Sequence, residues 1–77
     1  MENLTEIKMN YYYKVIGFDK ELEYKICRRF CDFGITKGER IKVKAKSLLK
    51  RVLLIEIRGY ILSIKSSLAK YILVEKW

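Results

Sequence analysis

The chain has 77 residues, 51% of them hydrophobic, so it can bury one small core; it has no proline and four glycines, which excludes a flexible linker or a low-complexity tail. Lys and Arg outnumber Asp and Glu by 17 to 9, a net charge of +8, and there is no histidine. These counts argue against an acid/base enzyme and for a basic binding surface, whose partner could be nucleic acid, an acidic protein face or anionic lipid.

The acidic start, Met-Glu-Asn-Leu-Thr-Glu, predicts no secretory signal. The longest aliphatic run, Val52 to Ile55, is far too short to cross a bilayer, so a cytoplasmic protein with no membrane insertion is expected. Leu4, Ile7 and Met9 are spaced to lay one short apolar turn on the body. Tyr11 to Phe18 is rich in aromatic and β-branched residues and predicts a strand, with Gly17 marking a bulge or a close approach. The three tyrosines read as strand packing more than as a base-stacking platform, because alternation divides Tyr11 and Tyr13 from Tyr12.

Asp19 is placed as an N-cap, with Glu21 and Glu23 in the first turn of a helix whose core stripe is Leu22, Ile26, Phe30 and Phe33. Arg28 and Arg29 lie near its C-terminal end. There they balance the dipole, or present a cationic pair to a partner's carboxylate or phosphate. Cys27 and Cys31 flank the stripe and are expected to be buried free thiols. Two thiols with no histidine and no second pair cannot close a tetrahedral metal site, so no metal or other cofactor is expected.

Gly34 is expected in the left-handed position that ends the helix, with Ile35 folding back on Phe30, and Gly38 at the third position of a type II turn. Next comes strict alternation: Ile41, Val43 and Ala45 inward, Arg40, Lys42, Lys44 and Lys46 outward. Ser47 to Arg51 reads as a loop and Val52 to Arg58 as a strand with Leu53, Ile55 and Ile57 inward. A type II′ turn at Gly59-Tyr60 would set Ile57 opposite Leu62 and Ile55 opposite Ile64. Ser66 to Ala69 predicts one helical turn capped by a serine, and Tyr71 to Glu75 a last strand with Ile72 and Val74 inward. The fold expected is mainly β: a small five-stranded barrel of the Src-homology-3 (SH3) type filling residues 1–77, one helix after the first strand and a short helical turn before the last.

Several of these segments together resemble the FeoA domain, the small cytosolic component of bacterial ferrous iron transport. They are Arg28-Arg29-Phe30 to Phe33-Gly34-Ile35, then Lys37-Gly38-Glu39, then Arg58-Gly59-Tyr60-Ile61-Leu62 and Ala69. The likeness runs from Leu4 to Glu75. It departs at Lys37, Lys65 and Leu68, where the family tends to have proline, arginine and glutamate, and in the loop Ser47 to Arg51, which lacks glycine. The resemblance implies an SH3-like adaptor without enzymatic activity. Its partner would be the cytosolic GTP-binding region of the FeoB permease, and the same domain is also found fused to metal-dependent repressors. The charge candidates for such docking are Arg28, Arg29, Lys42, Lys44, Arg58 and Lys65, with Tyr60 as an apolar anchor. Single-stranded nucleic acid is disfavoured, because the β-strand lysines lack interleaved aromatics; a homo-oligomer stays open.

Overall fold

The computed structural model describes residues 2–77. Its strands are β1 (Glu2–Asn3), β2 (Tyr12–Phe18), β3 (Arg40–Lys46), β4 (Val52–Ile57), β5 (Tyr60–Lys65) and β6 (Ile72–Lys76), with helix α1 (Tyr24–Asp32) after β2 and α2 (Ser66–Ala69) before β6. All pairings are antiparallel, in the order β1-β6-β2-β3-β4-β5. A flat sheet is a layer about 10 Å deep. The Cα extents here are 28 × 25 × 24 Å, so the sheet curls around its own apolar face. This is the expected SH3-like class, with a sixth strand added: Glu2 and Asn3 pair with Val74 and Leu73, and the turn beyond them buries Leu4 and Ile7 while Met9 stays exposed.

The core contains Val15, Ile41, Val43, Leu53, Ile55, Ile57, Ile72 and Val74, each at most 1% exposed, and no buried polar residue among those described. Val15 apart, those are inward positions the alternation assigns, and one assigned position, Ala45, departs from it. The register of β3 against β4 shifts between Val43 and Ala45, after which Ala45 faces the exposed Leu54 and Lys46 faces the buried Leu53. The extra residue, Lys44, reverses the alternation, so Ala45 is on the outer face and Lys46 swings toward the Thr5 carbonyl, 3.5 Å away. A second bulge, between Val15 and Gly17 where β2 meets β6, falls where the glycine predicts it.

The two-residue turn of the β4–β5 hairpin sits one residue earlier than expected. Arg58 (φ 51°) and Gly59 (φ 86°) are its two central residues, a type I′ turn, and Ile57 faces Tyr60, Ile55 faces Leu62, and Leu53 faces Ile64. The slip moves the pairing by two positions, an even number, so the inward set keeps its face.

Helix α1 starts later than Asp19 predicts. The Asp19 carboxylate accepts from the Glu21 N–H, closing a local turn, and Glu23 is the N-cap with no side-chain bond. Of the stripe, Phe30 is buried, Leu22 and Ile26 are half-buried, and Phe33 is 43% exposed as the C-cap residue. The ending is the Schellman motif anticipated: Ile35 N–H donates to the Phe30 carbonyl (2.9 Å) and Gly34 N–H to Cys31 (2.9 Å), with Gly34 at φ 95°. Glu39 N–H closes the type II turn on the Thr36 carbonyl with Gly38 at φ 94°. In α2 the serine is not a cap: Lys65 holds that place and the Ser66 hydroxyl donates to the Lys50 carbonyl.

Candidate functional site

The curled sheet leaves a gap between the C-terminal half of α1, strand β5 and α2. Ile26, Phe30 and Phe33 from α1, Leu62 and Ile64 from β5, and Leu68 from α2 line a cleft of about 320 Å³, with Arg29 and Lys65 at its rim. These apolar residues face the cleft because α1 lays its stripe over one end of the sheet and ends sharply at Gly34, so that Phe33 is left half covered. Strand β5 is the terminal strand of the ladder, so its outer backbone groups have no strand partner among the described residues. An open apolar cleft beside a free strand edge, rimmed by two cations, can take an extended apolar segment that carries carboxylates.

The seven sequence candidates divide into four places. Arg29 and Lys65 share the cleft. Arg58 and Tyr60 hold the end of α1: the Arg58 stem lies over Gly34, and the Tyr60 hydroxyl donates to the Phe33 carbonyl. Lys42 and Lys44 sit on the outer face of β3, where Lys44 reaches Glu56 at 3.9 Å, while Arg58 reaches Glu39 at 3.9 Å. Arg28 is exposed on α1 and does not line the cleft. The sequence reading missed the cleft itself, since its apolar residues read as ordinary core; the only hint was the breadth of the α1 stripe.

It also missed the aromatics of the outer face. Lys42 and Arg40 both lie over the Tyr12 ring, 4.0 and 4.2 Å from its centroid, and Trp77 lies 5.7 Å from Arg40. Two cations of β3, Arg40 and Lys42, therefore lie against aromatics, which come from the neighbouring strand and the chain end rather than from β3. The Tyr12 hydroxyl donates to Glu56 at 3.2 Å, so this ring is engaged by both cations and by a carboxylate.

Cys27 is half-buried and Cys31 exposed, so the expectation of two buried thiols fails for Cys31, which falls on the outer side of the helix. Its thiol is pushed above the ordinary value of 9.0 by desolvation against the helix first, then by Cys27 and Asp32, with Arg28 opposing. Such a thiol stays protonated at neutral pH and is a poor ligand. No three His, Cys, Asp or Glu side chains converge among the described residues, and no helix there is long and apolar enough to cross a membrane.

The fold is shared with a FeoA-like protein of Clostridium acetobutylicum (TM-score 0.84, 36% identity, covering 97% of this chain and 85% of that one). It is shared also with the FeoA of Stenotrophomonas maltophilia in complex with zinc (TM-score 0.82, 25% identity, 97% and 91% covered), a prokaryotic SH3 domain protein suggested as an activating factor for ferrous iron transport. A manganese-dependent transcriptional repressor matches at TM-score 0.87 with 18% identity, over 99% of this chain and 41% of its own, a likeness of fold alone. No curated protein matches the sequence. The FeoA domain model matches residues 3–76, and with it the chain belongs to the FeoA family of small accessory proteins of ferrous iron transport.

Proposed function

We propose that residues 1–77 form a single cytoplasmic, non-enzymatic regulatory module that docks on the cytosolic GTPase region of a FeoB-like permease. The observation that carries this reading is the cleft between α1, β5 and α2, apolar inside and cationic at Arg29 and Lys65. A partner segment seats an apolar side chain against Phe30, Leu62 and Leu68, and its carboxylates meet the two rim cations. The apolar centre supplies affinity while the charges supply orientation and on-rate. Family membership supports the iron-transport setting.

The test is binding of the purified chain to the soluble GTPase region of the permease, with GTP, with GDP and without nucleotide. Binding is expected in at least one state. Arg29→Glu with Lys65→Glu should weaken it about tenfold or more, as reversal of rim charges on a docking surface does. No association in any nucleotide state overturns the reading.

A second reading is favoured by one observation. The Tyr12, Arg40, Lys42 and Trp77 face combines cations with aromatic rings, as single-stranded nucleic-acid surfaces do. The engagement of Tyr12 by its neighbours counts against it, and a titration with short RNA and DNA at low salt decides it.

A further inference from the structure

The loop between β3 and β4 is a built turn. Lys50 N–H donates to the Ser47 carbonyl at 2.8 Å, and the Ser47 hydroxyl accepts from the N–H groups of Arg51 (3.0 Å) and Val52 (3.1 Å). Its base is tied to α2, since Ser66 N–H donates to the Arg51 carbonyl at 2.8 Å and the Ser66 hydroxyl to that of Lys50. The two central residues of this pinned turn are Leu48 and Leu49, 97% and 70% exposed. Neither position serves the core. Turns of this kind ordinarily carry Asn, Asp or Gly, so two adjacent leucines held in water are a cost that the fold itself does not recover.

The surroundings of the tip are cationic. Lys50, Arg51 and Lys65 line one depression at its base, together with Ser66 and Ser67, and no acid occurs in sequence between Arg40 and Ile55. The leucines are exposed at the tip, and the cations line the depression beside it. A medium that must deform around a protruding apolar pair while offering negative charge just outside it is the head-group layer of an anionic membrane.

We propose that the Ser47–Lys50 turn is an interfacial anchor: Leu48 and Leu49 enter the boundary between head groups and acyl chains of an anionic bilayer, and Lys50 and Arg51 meet the lipid phosphates. Nothing crosses the membrane, and the anchor is independent of the α1–β5–α2 cleft, which stays free for a protein partner.

The test uses the full chain with vesicles of phosphatidylcholine alone and of phosphatidylcholine with phosphatidylglycerol, and no permease, so its result does not depend on the partner proposed above. Sedimentation is expected with the anionic vesicles only, and it should decline as salt rises. Lys50→Glu with Arg51→Glu should weaken it about 25-fold or more, at about fivefold per basic residue. Leu48→Ser with Leu49→Ser should weaken it about tenfold while leaving the thermal unfolding curve unchanged, because both side chains lie outside the core. Leu48→Trp in a Trp77→Phe background should shift its emission to the blue on anionic vesicles. The proposal is overturned by absence of vesicle binding, by binding that the leucine variant retains in full, or by a turn that binds poly-uridine RNA and no vesicle.

Discussion

Arg58 lays its side chain across Gly34, its Cδ only 2.7 Å from the place where a Cβ on that glycine would stand. The residue that turns the β4–β5 hairpin thus also covers the end of α1, and the Tyr60 hydroxyl reaches the Phe33 carbonyl beside it. Hairpin and helix end are one unit, and this unit fixes the mouth of the cleft.

Gly34→Ala should therefore be costlier than Gly59→Ala. Both glycines have positive φ, and a side chain there costs about 1–2 kcal/mol. At Gly59 a Cβ meets nothing within 4 Å, whereas at Gly34 it must also displace Arg58. Urea denaturation of the two variants should rank Gly34→Ala as the less stable; equal losses would show that Arg58 yields freely.

Tyr60→Phe removes the bond to the Phe33 carbonyl and keeps the ring. The site is open to water, so a loss of about 0.5–1 kcal/mol is expected, at the low end for a hydrogen bond. Amide exchange should rise at Gly34 and Ile35, whose N–H groups close the helix. Unchanged exchange there would mean that the tyrosine does not hold the helix end.

Ile55 faces Val43 on one side and Leu62 on the other, is fully buried, and also lines the floor of the cleft. Ile55→Ala should cost about 2–5 kcal/mol. For a chain of this size that is a large share of total stability, so the variant should be substantially unfolded by a modest rise in temperature. Leu54→Ala, one residue away on the outer face, should change the midpoint little.

Cys31 should be slow toward iodoacetamide at pH 7, with an alkylation midpoint above the ordinary thiol value of 9.0. The raised value means that folding favours the protonated thiol, so at any pH near that midpoint the folded chain holds less thiolate than the unfolded one. Alkylation in urea should be faster than in buffer at the same pH. A midpoint below 9.0 in the folded protein would contradict the assignment.

What was legible in the sequence was what depends on neighbours along the chain. The Schellman ending at Gly34, the type II turn at Gly38 and the inward residues of β4 follow from φ preferences and a period of two, which act over a few residues. The start of α1 was misread because Asp19 spends its carboxylate on Glu21, a choice between two local bonds of similar strength. The hairpin register failed in a similar way: Arg58 takes a left-handed backbone in a turn one residue earlier, which lays its side chain over Gly34 and pairs Ile57 with Tyr60.

By itself, then, the order of residues determined the type and succession of elements, the apolar face of each strand and a positive overall charge, since backbone preference and periodicity are properties of short stretches. Tertiary structure alone decided that Ala45 turns outward past the Lys44 bulge, that Tyr12 from β2 comes to lie among the cations of β3, and that Arg29 and Lys65, 36 positions apart, meet at one cleft. Each of those depends on how the sheet curls to close its core, and curling sums small twists and bulges over the whole chain, which no local pattern records.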